Sequence, residues 1–286
     1  MKICRMILCV VLVACFCLNV CISEESEWMN ILFLGDDTRD RTDYGRTDTM
    51  IIVSVNRDSG ELKMTSIMRD TYVPFNKWME NRINAANMYG GPEFAMQVIN
   101  DNFGLDMTDY IYVNMNDMVT LVDMIGGIDI ELTQKEVEYV NQYARSYQRE
   151  FGRYDGERKL ESAGLCHLNG LLALSYARNR YSDSDWVRVM RQQKVLIAIA
   201  EKMQNMEIDE LMSLTEEILS LVVTNLDSEM IKDLTYTVMA MELEEVEQFR
   251  IPADGAFYSG MYDGRWLIKP WFKENKELLH EFIYGE

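Results

Sequence analysis

The stretch Asn30-Ile-Leu-Phe-Leu-Gly-Asp-Asp-Thr-Arg39 decides the fold that we predict for this chain. Its four consecutive apolar residues, followed by Gly35, are typical of a strand buried on both faces. Two more strands are predicted over Met50–Val55, which is strongly apolar, and over Leu62–Ile67, which alternates. Each of the three strands has Asp or Arg close to one end. Acidic and basic side chains at strand ends indicate a site that holds a metal ion and a phosphate.

The turn Asn56-Arg-Asp-Ser-Gly60 joins the second and third strands as a hairpin. The two strands are therefore antiparallel, and the hairpin carries Asp48 and Arg69 to the same end of the sheet. From Pro92 onward, predicted helices alternate with short strands, which indicates an α/β or mixed α+β layered domain. The polar segment Thr133–Gly164, rich in Tyr, Arg and Glu, is expected to form a mobile helix or lid.

The first 23 residues form a separate unit. Lys2 and Arg5 precede an apolar run from Met6 to Ile22, which is the pattern of a targeting signal. A cleaved signal peptide, a retained signal anchor and lipoprotein processing at Cys15 all fit this pattern, and a buried N-terminal helix is the alternative to them. Each targeting signal places the rest of the chain outside the cytoplasm. We predict a signal peptide or signal anchor over residues 1–23, a linker over 24–29 and a single domain over 30–286.

Composition argues against several classes of function. The formal net charge of −19 is unsuited to nucleic-acid binding, which needs a basic surface. The chain has two histidines and neither a Gly-x-Ser-x-Gly motif nor a nucleotide-binding glycine loop, so a Ser-His-Asp triad, a histidine zinc site and nucleotide use are not expected. Cys166 is the only cysteine after the leader, so the body has no internal disulfide. An anionic ligand would need a metal ion or an arginine cluster to overcome the overall negative field.

Two groups of side chains meet that need. Asp36, Asp37 and Asp48 offer the hard oxygen ligands that Mg²⁺ prefers, and turn capping is the alternative role for them. The arginines are concentrated near residues 39–46 and 178–191, and their planar forks bind phosphate without losing a proton. Surface ion pairing explains any single arginine, but it explains two basic clusters in so acidic a chain less well. The arginines concerned are Arg39, Arg46, Arg69, Arg178, Arg180, Arg188 and Arg191.

Several short motifs follow the opening stretch in order. They are Gly45-Arg-Thr-Asp-Thr-Met50, Ser66-Ile-Met-Arg-Asp-Thr-Tyr72, Arg82-Ile-Asn-Ala-Ala86, Leu121-Val-Asp-Met-Ile-Gly-Gly127, Tyr176-Ala-Arg-Asn-Arg180 and Asp185-Trp-Val-Arg-Val-Met-Arg-Gln-Gln193. Through these motifs the chain resembles the LytR–CpsA–Psr family of bacterial cell-envelope glycopolymer phosphotransferases. The resemblance implies a central mixed β-sheet flanked by helices on both faces, with a hydrophobic pocket for a polyprenyl lipid.

The resemblance also implies an activity and a set of residue roles. The activity is transfer of a glycopolymer from a polyprenyl-pyrophosphate carrier to peptidoglycan at the extracytoplasmic face of the cell membrane, aided by Mg²⁺ or Mn²⁺. Asp37 and Asp48 are the implied metal ligands, although Asp36 stands where the family has another residue and competes with Asp37. Asp70 is implied to orient Arg69 or to act as a base. The implied pyrophosphate-binding residues are Arg39, Arg46, Arg69, Arg178, Arg180, Arg188, Arg191, Gln192 and Gln193.

Two other functions stay open at this level. One is an envelope protein that binds a polyprenyl lipid or its polymer without transferring it. The other is a pyrophosphatase that acts on the same lipid, with water as the acceptor. The nature of the glycopolymer, whether teichoic acid, capsule or another glycan, is also open.

Overall fold

The structure is a computed structural model that describes residues 27–38, 43–151, 159–179, 185–227, 230–231, 234–235 and 246–285. The predicted leader lies outside these residues, so its boundaries stay a prediction. Among the helices in the described ranges, none combines the length and the apolar character needed to cross a bilayer.

The elements are short, as expected for a layered domain of alternating strands and helices. The strands are β1 (Trp28–Asp36), β2 (Thr47–Asn56), β3 (Leu62–Ile67), β4 (Tyr72–Asn76), β5 (Met79–Arg82), β6 (Asp109–Val113), β7 (Ile128–Leu132), β8 (Gly164–Leu168), β9 (Val223–Thr224), β10 (Glu247–Ile251), β11 (Phe257–Tyr262) and β12 (Arg265–Pro270). The helices are α1 (Ala86–Phe103), α2 (Met115–Met124), α3 (Gln134–Phe151), α4 (Gly170–Ala177), α5 (Asp185–Gln204), α6 (Ile208–Leu221) and α7 (Phe272–Tyr284), with a short 3₁₀ turn at Ile83–Ala85.

A six-stranded mixed sheet forms the centre of the fold, in the order β10-β3-β2-β1-β6-β9. The three predicted strands are β1, β2 and β3, and the predicted antiparallel hairpin of β2 and β3 is confirmed. Strand β6 lies parallel to β1, and β10 lies parallel to β3. Both parallel strands come from distant parts of the chain, so the sheet cannot be completed from local pattern alone.

Helices cover both faces of this sheet. On one face, Leu32, Leu34 and Ile52 share a core with Phe103 of α1 and Leu279 of α7. On the other face, the side chains of Val53 and Val55 pack against α5. Alternation along each strand sends apolar side chains to both sides, which is why the middle of β1 (Ile31–Leu34) and of β2 (Met50–Val53) is a continuous apolar run. The predicted fold class is thereby confirmed.

A second core lies beside the sheet, between the β7–β8 ribbon and helices α2 to α5. Helix α3 belongs to it, because Val137, Val140 and Ala144 are buried there. The predicted helix within Thr133–Gly164 is therefore correct, and the apolar side of its polar sequence is packed rather than free.

Two antiparallel ribbons, β4–β5 and β11–β12, were not expected from the sequence. Each consists of only two strands, and each contains a residue that weakens a strand pattern, Pro74 in β4 and Gly260 in β11. The two ribbons lie side by side, joined by a bridge between Thr71 and Ile268.

Candidate functional site

The candidate site lies at the edge of the central sheet where β1, β3, β6 and β10 end and β2 begins. Asp36 and Asp37 are at the end of β1, Asp48 is near the start of β2, and Arg69 and Asp70 follow β3. Nη1 of Arg69 lies 2.7 Å from Oδ1 of Asp48. The prediction that the hairpin brings these two side chains to one end of the sheet is confirmed.

A β-bulge directs the Asp48 side chain into the site. Gly35 pairs with Thr49 but Asp36 pairs with Thr47, so Asp48 has no partner across the β1–β2 ladder. A bulge of this kind redirects a side chain and increases the local twist of the strand. Gly35 permits the close approach of the strands, because a Cβ there would lie 3.1 Å from Cβ of Thr49.

A second arginine approaches Asp48 from a distant part of the chain. Arg178 is the residue that ends α4, and its Nη2 lies 3.8 Å from Oδ2 of Asp48. The start of α4 is fixed by Asn169, whose side chain accepts a hydrogen bond from the backbone of Leu172. Two guanidinium groups therefore converge on one carboxylate, an arrangement suited to binding phosphate oxygens.

Two side chains that the sequence did not single out hold Arg178 in place. The Sδ atom of Met115 accepts a hydrogen bond from Nη1 of Arg178. The guanidinium also lies over the ring of Tyr147 in α3, 5.7 Å from its centroid, and Tyr147 stacks on Tyr143. The only sequence signal for this contact was the abundance of tyrosine in the segment that forms α3.

Asp70 faces two arginines. Its Oδ2 is 3.6 Å from Nε of Arg69, and its Oδ1 is 3.3 Å from Nη1 of Arg82. The Asp70 side chain is buried. Arg82 lies in one of the motifs that carry the family resemblance, but no role was predicted for it. Of the two roles implied for Asp70, this geometry favours the orientation of Arg69.

Asp36 has a structural set of contacts. It is 4% exposed, and its carboxylate accepts hydrogen bonds from both N–H and O–H of Thr38, from the N–H of Gly45 and from the hydroxyl of Tyr112. Burial, together with this bond to Asp36, raises the pKa of Tyr112, so the phenol stays protonated. All four donors point at one buried carboxylate. Asp36 therefore connects Thr38, just after β1, with Gly45, just before β2, and with Tyr112 of β6.

Asp37, by contrast, is exposed and lies near enough to Arg178 to feel its charge. Partial desolvation and the nearby charges of Asp48 and Asp36 raise its pKa, while Arg178 acts in the opposite direction. The backbone N–H of Arg46 donates to Oδ1 of Asp37 over 3.1 Å, and Arg46 itself is exposed. Of the doublet, Asp37 is the exposed carboxylate, whereas Asp36 contributes to the lining of the adjacent cavity but is buried and already hydrogen-bonded.

Helix α5 contains four of the predicted residues, namely Arg188, Arg191, Gln192 and Gln193. Nε2 of Gln192 donates to the backbone oxygen of Asp48 over 3.4 Å, which ties α5 to the bulge. Arg188 is 2% exposed. Gln193 is 1% exposed, and neither of its amide atoms has a hydrogen-bond partner among the described residues.

Arg191 links three elements. Its Nε lies 3.1 Å from Oε1 of Glu136 in α3, and its Nη1 donates to the carbonyl of Asn179 over 3.3 Å. The guanidinium is also 5.8 Å from the ring of Tyr176, whose pKa rises to about 12 mainly through burial. These contacts fix the backbone that follows Arg178. Two further predicted residues, Arg39 and Arg180, lie outside the described residues, so their roles stay predictions.

A cavity opens beside this cluster, between the sheet and helices α2, α4 and α5. Its volume is about 60 Å³, and its lining is largely apolar. The polar side chains in the lining include Asp36, Asp48, Arg178 and Gln192, and the apolar ones include Phe33, Val113, Met115, Met118, Leu174 and Val195.

Asp37 and Asp48 are the described carboxylates best placed to hold a metal ion. No group of three or more His, Cys, Asp or Glu side chains with the geometry of a metal site occurs in the described part of the chain. A pair suffices for Mg²⁺, which usually takes one or two carboxylates and completes its shell with water and substrate phosphate. Next to burial, the charge of Asp48 is the largest cause of the raised pKa of Asp37, and a cation between the two would relieve that repulsion.

Comparison with known proteins relates the whole chain to one family. A sequence profile of the LytR_cpsA_psr family matches residues 16–279. A Bacillus cereus protein named polyisoprenyl-teichoic acid–peptidoglycan teichoic acid transferase TagU is 29% identical over 240 residues, which cover 81% of this chain and 71% of that protein.

Solved structures share the fold at lower identity. A structure of TagT bound to LIIa-WTA superposes with a TM-score of 0.71 at 23% identity, covering 92% of this chain and 94% of that one. The LytR-CPS2A-psr family protein YwtF (TagT) with bound octaprenyl pyrophosphate lipid superposes with a TM-score of 0.67 at 21% identity, covering 92% and 94%. Because the family profile spans most of the sequence, this chain belongs to the LytR–CpsA–Psr family.

Proposed function

We propose that this protein transfers a glycopolymer from a polyprenyl-pyrophosphate carrier to peptidoglycan on the extracytoplasmic side of the membrane. The observation that carries the proposal is the convergence of Arg69 and Arg178 on Asp48 beside a cavity with a largely apolar lining. A diphosphate joined to a long apolar chain matches this combination of charged and apolar groups. The names of the TagU relative and of the lipid-bound TagT structure support the same substrate class.

The cavity must widen to accept a polyprenyl chain. Its volume of about 60 Å³ is smaller than such a chain needs. Met115 and Met118 line it, and unbranched thioether side chains change conformation readily to fit a flexible ligand. Lipid binding would therefore displace the side chain of Met118, while Met115 keeps its contact with Arg178.

The proposed reaction exchanges one phosphorus–oxygen bond for another. A hydroxyl oxygen of peptidoglycan bonds to the phosphorus that carries the polymer, the bond from that phosphorus to the bridging oxygen breaks, and polyprenyl phosphate leaves. The hydroxyl proton passes, directly or through water, to the bridging oxygen that leaves with polyprenyl phosphate. Arg69 and Arg178 stabilise the charge that develops on the phosphoryl and leaving oxygens. Asp70 orients Arg69, and Asp48 positions both Arg69 and Arg178 by pairing with their guanidinium groups.

Asp37 and Asp48 would hold the Mg²⁺ or Mn²⁺ that we expect in the loaded enzyme. The metal would supply charge neutralisation and orientation for the diphosphate. Asp36 is not part of this set in the proposal, because its carboxylate already accepts four hydrogen bonds inside the protein.

The test is transfer of a labelled glycopolymer from its polyprenyl-pyrophosphate carrier to peptidoglycan fragments. Replacing Arg69 or Arg178 by Ala should lower the rate about 100-fold or more, the usual cost of one transition-state donor, with little change in folding. Arg57→Ala is the matched control, because Arg57 is an exposed arginine in the turn at the opposite edge of the sheet. Chelation of divalent cations should also stop transfer.

Three other results would overturn the proposal. Release of free glycopolymer phosphate into water, without attachment to peptidoglycan, would indicate a pyrophosphatase. Tight binding of the lipid without turnover would indicate a carrier. Full activity in Arg69→Ala or Arg178→Ala would remove that arginine from the mechanism.

A further inference from the structure

The two ribbons β4–β5 and β11–β12 form a surface directly beside the site. The backbone N–H of Ile268 donates to the carbonyl of Asp70 over 3.0 Å, and Nη2 of Arg82 donates to the carbonyl of Trp266 over 2.7 Å. Arg82 also pairs with Asp70, which in turn faces Arg69. Arg82 and Asp70 therefore connect the ribbons to Arg69, an arginine of the proposed mechanism.

Aromatic rings gather on one side of these ribbons around a lysine. Nζ of Lys269 lies 4.1 Å from the ring centroid of Tyr262 and 5.8 Å from that of Tyr72. Tyr258 pairs with Lys269 across the β11–β12 ladder, and its side chain is 51% exposed. We call this group, consisting of Tyr72, Tyr258, Tyr262 and Lys269, the tyrosine platform.

The charge of the ribbons differs from that of the chain. The whole chain carries −19, whereas the two ribbons together hold four basic and two acidic side chains. The basic residues are Lys77, Arg82, Arg265 and Lys269, and the acidic ones are Glu80 and Asp263. No carboxylate of the described residues forms an ion pair with Lys269. The surface is therefore complementary to a ligand that carries carboxylates.

We propose that the tyrosine platform binds the acceptor, a glycan strand of pyranose sugars that carries carboxylates. The π faces of the tyrosines are negative and attract the electropositive C–H faces of sugar rings. Lys269 would bind a carboxylate of the strand, and the tie to Arg69 places a neighbouring sugar hydroxyl at the site. This inference rests on the proposed function and adds to it the location of acceptor binding.

The exposed side chains of the ribbons are mainly aromatic. Trp78 is 94% exposed and Trp266 is 50% exposed, whereas the aliphatic side chains of Val73, Leu267 and Ile268 are buried. Exposed tyrosine and tryptophan stack on sugar rings and also occur at membrane interfaces. The complementary charge favours the glycan, and binding to a lipid surface is the competing outcome of the test.

The experiment measures transfer kinetics of the full-length protein with soluble peptidoglycan glycan strands as the varied substrate. Tyr258→Ala should raise the KM for the strands about tenfold, the loss expected for one central contact residue, with kcat and the KM for the lipid donor unchanged. Tyr258→Phe keeps the ring and should behave as the wild type. Leu165→Ala, which alters a side chain that is 78% exposed in the β7–β8 ribbon, is the matched control.

An unchanged KM for the strands in Tyr258→Ala would overturn the inference alone. If that variant also sedimented more weakly with phosphatidylglycerol vesicles, the surface would be assigned to the membrane. If the wild type transfers nothing, the proposed function fails, and direct binding of the strands to wild type and Tyr258→Ala still tests the platform: equal affinities would refute it.

Discussion

The doublet Asp36-Asp37 offers the most discriminating prediction, because the two neighbours should respond in opposite ways to the same change. In Asp36→Asn, one carboxylate oxygen becomes an NH₂ group. Each oxygen of Asp36 faces one backbone N–H at 2.9 Å, from Thr38 or Gly45, and one hydroxyl. A hydroxyl can rotate, but a backbone N–H cannot, so one buried donor loses its acceptor whichever way the amide turns.

The expected cost follows from these contacts. An orphaned buried donor costs about 1–3 kcal/mol, and loss of the negative charge weakens the remaining hydrogen bonds. Together they give about 3 kcal/mol of lost unfolding free energy, or roughly 6–12 °C in Tm for a chain of this size. Asp37→Asn keeps the acceptor for Arg46 and removes a carboxylate whose pKa is raised, so it should leave stability equal or slightly higher while abolishing transfer.

Equilibrium unfolding in urea at several pH values measures both effects. A carboxyl with a raised pKa makes the folded state bind more protons than the unfolded state, so its contribution to stability falls as pH rises through the folded pKa. Asp37→Asn should remove this part of the pH dependence above the usual pKa of aspartate. Asp36→Asn within 0.5 kcal/mol of wild type, or Asp37→Asn as unstable as Asp36→Asn, would refute the assignment.

Three further changes test other contacts of the site. Tyr147→Leu should slow transfer about tenfold, because Arg178 loses the ring beneath it, whereas Tyr147→Phe should not; equal rates in steady-state assays would exclude this role. Glu136→Gln should cost about 2 kcal/mol at pH 7, because it removes the charge of Glu136 from a partly buried ion pair with Arg191. Burial raises the pKa of Glu136, but hydrogen bonds from Thr133 and Arg191 outweigh it and lower the pKa overall. The difference in unfolding free energy from wild type, measured in urea, should therefore vanish as pH falls through the folded pKa of Glu136. Ala177→Trp should fill the cavity and abolish binding of a labelled polyprenyl diphosphate, with a far-ultraviolet circular dichroism spectrum like that of the wild type; retained binding would place the lipid elsewhere.

Local pattern was sufficient for the central hairpin. A short turn between two apolar runs leaves little freedom in how β2 and β3 pair, and the register then brings Asp48 and Arg69 together. The ordered motifs were sufficient to predict the family, and the family resemblance was sufficient to predict the mixed sheet with helices on both faces. The ribbons β4–β5 and β11–β12 could not be foreseen in this way, because two-stranded elements with Pro74 or Gly260 have no distinctive period.

The division of labour among the acidic residues depended on tertiary structure. Asp36 and Asp37 are chemically identical neighbours, and they differ only in what the fold places around each: four donors for Asp36, and Asp48 and the arginine cluster for Asp37. The bulge that turns Asp48 toward Arg69 is likewise a property of two paired strands and not of either alone.

The same holds for the arginines. Residue type shows that an arginine can bind phosphate, but its partners decide whether its fork is available to a ligand. Arg178 faces Asp48 and lies over Tyr147 in the lining of the cavity, whereas Arg191 binds Glu136 and the carbonyl of Asn179. The sequence by itself therefore determined the family, the sheet and the kinds of groups at the site. Tertiary structure alone decided which of those groups face a ligand, because contacts such as Asp48 with Arg178 and Glu136 with Arg191 join residues more than 50 positions apart in the chain.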